Sequence, residues 1–192
     1  MPIINKYEAA FPQWSKLKDF SVHTVIAGKD LEIRSRQPKT AVLVVKGRAF
    51  VTAEGTEYTM NTGQAPSNGI MLNTGTITIR AKSAPGYWMD RCTVYVFHGD
   101  WTEGDIGVFR LSRFDRPVLT GEPVTYEKNN SFPNHSHPFD QAWLIYEGRG
   151  TVCVNGQFAE VEPGDLILTR RGEMHDFAQV HTYTEGIYLD ME

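Results

Sequence analysis

The chain has too few cysteines for a disulfide framework, no apolar run long enough to cross a bilayer, little helical periodicity and no cluster of basic residues. Each lack excludes something. Cys92 and Cys153 have no CxxC or CxxxC partner, so both read as buried small apolar groups in a reducing compartment. No stretch approaches the roughly 18 apolar residues of a membrane helix. The segment from Met1 to Trp14 has neither the basic nor the apolar region of a secretory leader. A cytoplasmic chain with no membrane partner is expected. A net charge of −4 with scattered Lys and Arg argues against nucleic acid as a partner. Arg110, Arg113 and Arg116, interleaved with Asp115, read as a solvated face. Histidine is also missing over a long span, with none between His23 and His98.

What is present is a rhythm of short β-prone runs. Trp143–Tyr146, Thr151–Val154, Phe158–Val161 and Leu166–Thr169 are separated by Glu147-Gly148, Asn155-Gly156 and Pro163-Gly164, which are turn signals. Asn155-Gly156 predicts a type I′ hairpin. The first half repeats the rhythm through Lys46-Gly47, Glu54-Gly55 and Thr62-Gly63. One short helical turn is expected between Glu8 and Lys18. The pattern predicts antiparallel sandwiches or barrels.

The two halves match without gaps at an offset of 101 residues: Ala41-Val-Leu-Val-Val-Lys-Gly47-Arg48 lies on Ala142-Trp-Leu-Ile-Tyr-Glu-Gly148-Arg149. The same offset pairs Val51 with Val152, Gly55 with Gly156 and Gly63 with Gly164. A fixed-period repeat is architecture, and the stretch from Asp100 to Glu127 is the join, either a linker or an exchanged strand.

The second copy carries the chemistry. In an extended strand alternate side chains share a face, so His135, His137 and Gln141 point one way. Pro138 favours the extended backbone before it. With His175 from another strand, three imidazoles and a carboxamide oxygen make a candidate first shell for one divalent ion. That donor set admits iron, manganese, nickel, zinc or cobalt. The offset places Arg34 and Arg36, Thr40 and Thr74 at the corresponding positions of the first copy. Arginine cannot donate a lone pair to an ion, so Arg34 and Arg36 pair with acidic groups or hold an anion.

These motifs resemble those of cupins. The family's first motif, G-x5-HxH-x3,4-E-x6-G, appears as Asn129, His135-Ser-His137, Gln141 and Gly148. The second, G-x5-PxG-x2-H-x3-N, appears as Gly164, Arg170-Arg171-Gly172, His175 and Gln179. The duplication makes the chain similar to bicupins. The HSHPxxQ stretch also resembles that of uronate-processing cupins of the KdgF type. The resemblance implies an all-β chain of two cupin-like antiparallel β-barrels (jelly-roll sandwiches) in tandem. Residues 1–104 would form a degenerate barrel without metal ligands and residues 105–192 the metal-binding barrel. Homodimers are common among proteins of this kind.

Gln141 stands where the family has glutamate and brings no charge. The ion would keep its full positive charge and polarise a substrate oxygen strongly, which favours non-redox isomerisation, enolisation or ring opening of a small sugar acid or keto acid. An iron-dependent dioxygenase and a non-catalytic metal- and small-ligand-binding module are the alternatives. Strand parity puts Phe139, Trp143, Ile145, Phe177 and Gln179 on the pocket wall or in the barrel core. His181, if its strand stays regular, is the inward acid or base. Asp176 and Glu173 flank His175 as further proton-transfer groups or as partners that orient it. The parity of Tyr188 depends on whether Gly186 bulges the last strand.

Overall fold

The computed structural model describes residues 3–4, 11–61, 68–82, 91–111, 118–119 and 134–192. Thr62, Gly63, Arg113, Asp115, Arg116 and Asn129 lie outside the described residues, as do 8–10 of the expected helical turn. In chain order the strands are β1 (Ile3–Ile4), β2 (Leu17–Ile26), β3 (Asp30–Arg34), β4 (Lys39–Lys46), β5 (Arg48–Ala53), β6 (Thr56–Asn61), β7 (Gly69–Leu72) and β8 (Thr76–Ala81). They continue as β9 (Arg91–Gly99), β10 (Gly104–Leu111), β11 (Val118–Leu119), β12 (Asp140–Glu147), β13 (Gly150–Val154), β14 (Gln157–Val161), β15 (Leu166–Thr169), β16 (His175–Val180) and β17 (Thr184–Met191). All strand pairs are antiparallel. The described residues contain no helix, and so none long and apolar enough to cross a membrane.

The chain divides into two compact units, Lys16–Trp101 and Met1–Ser15 with Thr102–Glu192. This differs from a cut after residue 104. The first fifteen residues go with the second unit because β1 pairs with β15, Ile3 opposite Ile167, and covers an edge that would otherwise present unpaired backbone groups. Within the join, β10 is a strand of the second unit, hydrogen-bonded between β17 and β11. In the described part the expected stretch forms a single turn, Ser15 N–H donating to Pro12 O at 3.0 Å, before Leu17 opens β2.

Each unit is a pair of antiparallel sheets. The first unit has the orders β2-β9-β4-β7 and β3-β8-β5-β6. In the second unit they are β1-β15-β12-β17-β10-β11 and β14-β13-β16. The pairings correspond: β4 lies between β9 and β7 as β12 lies between β17 and β15, and β5 lies between β6 and β8 as β13 lies between β14 and β16. The irregularities correspond as well. The β4–β9 ladder shifts register between Val44 and Lys46, and the β12–β17 ladder shifts between Ile145 and Glu147, 101 residues on. Glu54-Gly55 (φ 49° and 78°) and Asn155-Gly156 (φ 50° and 77°) are matching turns with both central residues left-handed, as a type I′ hairpin requires.

Each unit closes its own apolar core. The first is filled by Val25, Val42, Val44, Val51, Ile77, Ile79, Val94 and Val96 among others. In the second, Phe109, Leu111, Trp143, Ile145, Val152, Val154, Ile167 and Phe177 pack together. Inward residues alternate along each strand, so every core residue places its neighbours on the other face.

Candidate metal site

His135 and His175 form an isolated antiparallel bridge, exchanging both backbone hydrogen bonds: His135 N–H to His175 O at 3.0 Å and His175 N–H to His135 O at 2.8 Å. Directly opposed residues project to the same side, so the two imidazoles meet, ring centroids 4.6 Å apart. His137, two residues along, shares that side. Its Nε2 lies 3.1 Å from His135 Nε2, and its ring is 5.3 Å from that of His175. The ligand atoms of the three histidines all lie within 4.8 Å of one another.

The turn from Arg170 to Gly172 staples this arrangement. Gly172 N–H donates to His137 O at 2.8 Å, and the Arg171 guanidinium donates to Pro138 O through Nε (3.0 Å) and Nη2 (2.6 Å). Arg171 N–H donates to Asp140 Oδ1 at 2.9 Å. Arg170, which stands where the motif has proline, lies over the Trp14 ring at 5.1 Å. A cation–π contact thus braces a turn that has lost the stiffness of a proline.

Two of the imidazoles, those of His175 and His137, are held toward the neutral form. His175 is 1% exposed. Its Nδ1 faces Glu173 O at 2.8 Å; a carbonyl only accepts, so Nδ1 carries the proton and Nε2 keeps its lone pair. That Nε2 is buried without a hydrogen-bond partner. Burial first, then the neighbouring His135 and His137, outweigh the Glu173 carbonyl and lower the His175 pKa to about 4. His137 is lowered too, by burial and then by His135. A buried, unpartnered lone pair beside two more imidazole nitrogens fits a divalent ion. Bonds of about 2.1 Å to one ion readily bridge nitrogens 3.1 Å apart.

Gln141 is buried in β12, two residues from Trp143 and so on the face that Trp143 shares. Its Oε1 accepts from Trp143 Nε1 at 2.6 Å and its Nε2 donates to Asp190 Oδ1 at 2.6 Å. Trp143 in turn meets the His175 ring edge-on at 5.1 Å, and Phe139 stacks on His137 at 4.8 Å. Ile145 and Phe177 are 0% exposed and belong to the closed core, so they support the site without lining an opening.

Two parity expectations are corrected. The β13–β16 ladder pairs Thr151 with Gln179 but Cys153 with Asp176, so β16 holds one extra residue across that step, a β-bulge. The alternation flips after Phe177. Val180 enters the core, Gln179 is exposed, and His181 faces the other side of the sheet. There His181 Nε2 meets Thr151 Oγ1 at 3.1 Å and Glu160 Oε2 at 2.9 Å.

Glu173 touches His175 only through its backbone carbonyl; its carboxylate caps the turn by accepting from Arg170 N–H at 2.8 Å. Asp176 has a buried, unpartnered Oδ1. Burial raises its pKa, offset in part by His135 and by the Cys153 backbone.

The inward polar groups that sequence reasoning missed or left open come from β17. The register shift lies before Gly186, so Ile187–Met191 run regularly, with Tyr188 opposite Trp143 and Asp190 opposite Gln141. Tyr188 OH donates to Asp105 Oδ2 at 3.1 Å, and Gly107, opposite Tyr188, leaves the space its ring occupies.

In the first unit the bridge equivalent to His135–His175 is Arg34–Thr76, so Thr76 and not Thr74 takes the place of His175. Arg34 points out and pairs with Glu32 at 2.6 Å. Among the described residues only the second unit brings three potential ligands of the His, Cys, Asp and Glu types together.

Comparison with known proteins bears on the family and the fold. A family model described as "Cupin domain" matches residues 123–190. An uncharacterized protein, y4oW, of Sinorhizobium fredii is 34% identical over 187 residues, covering 93% of this chain and 80% of the relative. Among solved structures, the conserved protein of unknown function PA5104 from Pseudomonas aeruginosa is similar in fold, with a TM-score of 0.61 at 9% identity, over 100% of this chain and 93% of the other. AerE from Microcystis aeruginosa has a TM-score of 0.61 at 7% identity, over 90% and 87% of the two chains.

Proposed function

Residues 123–190 of this chain match a cupin domain, and from that premise we propose that its second unit is a metal-dependent enzyme of small-molecule, non-redox chemistry. The reading is isomerisation, enolisation or ring opening of a sugar acid or keto acid. The chain is read as a bicupin, two copies of one barrel of which only the second keeps ion ligands. The observation that carries the proposal is the buried, unpartnered Nε2 of His175 beside two further imidazoles; the family motif supplies Gln141, a neutral carboxamide, where a carboxylate is usual. The sugar-acid class follows the HSHPxxQ likeness to uronate-processing cupins.

His135, His137, His175 and Gln141 would hold the ion, which supplies Lewis acidity toward a carbonyl or hydroxyl oxygen. The chain's own residues do the rest. Trp143 and Phe139 pack against the imidazoles and exclude water from one side. Tyr188, on the inward face and hydrogen-bonded to Asp105, takes the proton-transfer role that His181 cannot fill from the opposite face. Its oxygen would take the proton from the carbon next to the substrate carbonyl as its own proton passes to the Asp105 carboxylate, and the reverse transfer would reprotonate carbon.

The test begins with metal analysis of chain purified without added ions, then reconstitution with each first-row divalent ion. Anaerobic incubation with 2-keto and uronic acids in D2O, followed by proton NMR, reads exchange next to the carbonyl. Exchange that requires the ion and is lost in Tyr188→Phe and His175→Ala supports the proposal. Oxygen uptake with iron restored, without anaerobic exchange, replaces it with the dioxygenase reading. Ion binding with neither reaction leaves a non-catalytic binding module.

A further inference from the structure

We infer that Asp190 is a positioning residue for Gln141, fixing which end of the carboxamide faces the imidazoles and lending its charge to that end. The inference deepens the function proposed above and, in its second half, rests on it.

A carboxamide has two ends of nearly equal shape and opposite hydrogen-bonding character, so its orientation is decided by its neighbours. Both neighbours of Gln141 are chemically one-sided. An ionised carboxylate only accepts, and an indole N–H only donates. Asp190 Oδ1 therefore takes the NH2 group and Trp143 Nε1 takes the carbonyl oxygen, each at 2.6 Å. The reversed amide would set NH2 against N–H and oxygen against oxygen. The oxygen is thereby held against Trp143, whose ring meets that of His175 edge-on, and an oxygen rather than an NH2 group is the end that can serve a cation.

The second effect is electronic. A carboxylate accepting from the amide N–H draws that proton toward itself in a charge-assisted bond, and amide resonance moves electron density onto the oxygen. The negative charge that a glutamate ligand would carry itself is here placed one residue back, on the facing strand, since Gln141 and Asp190 are directly opposed. The first unit supplies the contrast. The opposed pair at the same place is Thr40 and His98, joined Oγ1 to Nδ1 at 3.0 Å. Among the described residues the carboxylate at this place accompanies the cluster of three imidazoles in the second unit.

The experiment is a double-mutant cycle on ion affinity joined to an ion-free measurement. Co(II) titration against a competing chelator is run on wild type, Asp190→Asn, Gln141→Glu and the double variant. Asp190→Asn keeps the shape and removes the charge, so affinity falls about 10- to 100-fold. Gln141→Glu restores it in that background, where the amide that replaces the Asp190 carboxylate donates to the new carboxylate. In the wild-type background the same change opposes two carboxylates that cannot both ionise freely, and the gain is at least tenfold smaller.

In the ion-free chain, ¹⁵N NMR of the Gln141 side-chain amide shows one downfield, slowly exchanging proton, lost in Asp190→Ala. Equal Co(II) affinity of wild type and Asp190→Asn, or independent effects of the two substitutions, overturns the charge-lending half. A Gln141 amide spectrum unchanged in Asp190→Ala overturns the orienting half. A wild-type chain that takes up no ion overturns the proposed function and the charge-lending half together, while the NMR arm still decides the orientation.

Discussion

Removing every ion from the protein and lowering the pH puts the preparation of His175 to a direct test. Folding holds this imidazole at a pKa of about 4 against an ordinary value of 6.5, chiefly by burial. The unfolded chain therefore takes up a proton as pH falls through 6.5, and the folded chain does not until about 4. Stability from this group is complete above 6.5, is lost progressively between 6.5 and about 4, and changes no further below that. At roughly 1.36 kcal/mol per pKa unit, the loss across the window is about 3 kcal/mol. Domains are stable by only about 5–15 kcal/mol, so the effect is large. Urea unfolding of ion-stripped wild type and His175→Gln from pH 8 to 4 reads it together with its coupling to His135 and His137. The wild-type stability approaches that of the variant as pH falls, by about 3 kcal/mol in total. The His175 ring proton followed by NMR gives the midpoint itself. Parallel unfolding curves, or a midpoint at or above 6.5, would refute the claim that burial keeps this nitrogen's lone pair available.

Two further substitutions test the frame and the site. Gly148 has φ 84° and an added Cβ would lie 2.5 Å from Thr184 Oγ1 and 2.6 Å from Thr184 Cα, whereas Gly156 has φ 77° and open space. Both alanine variants carry about 1–2 kcal/mol of left-handed strain, but only Gly148→Ala adds overpacking of about 1–3 kcal/mol; equal losses in denaturant midpoints would contradict the described turn. His181→Ala removes a half-exposed pair with Glu160, so it lowers stability by no more than about 1 kcal/mol and leaves ion uptake unchanged. A fall in ion affinity would return His181 to the inward face.

The turns and the repeat were legible because they are local. Glu54-Gly55 and Asn155-Gly156 need left-handed backbone at two successive residues, and that requirement is written in the residues themselves. The imidazole cluster was legible for the same reason: His135 and His137 share a face by strand geometry, and Pro138 holds the backbone extended. His181 and Gln179 were misplaced because the extra residue in β16 sits within Asp176-Phe177-Ala178-Gln179, a run with no glycine or other local mark of a bulge. Asp190 was missed because its importance lies in a cross-strand register with Gln141, 49 residues away. No local pattern reports which residues that ladder opposes. Thr76 was mistaken for Thr74 because the offset of 101 ceases to hold after β6, where the two copies differ in loop length.

The two units treat their buried polar groups differently. Buried polar groups are nearly always hydrogen-bonded, and the first unit obeys the rule: Thr40 Oγ1 donates to Thr74 O at 2.5 Å, which leaves its lone pairs to accept from His98 Nδ1. The second unit, with the same strand pairings, breaks it. Among the described residues the buried side-chain atoms without partners are His175 Nε2 and Asp176 Oδ1, both in β16. Leaving such an atom unsatisfied costs about 1–3 kcal/mol, and the neighbouring copy demonstrates that the same frame folds without the exposure to that cost. Fold stability therefore does not account for the open nitrogen of His175. Its place beside two further imidazoles, all ligand atoms within 4.8 Å of one another, is one that could hold a cation.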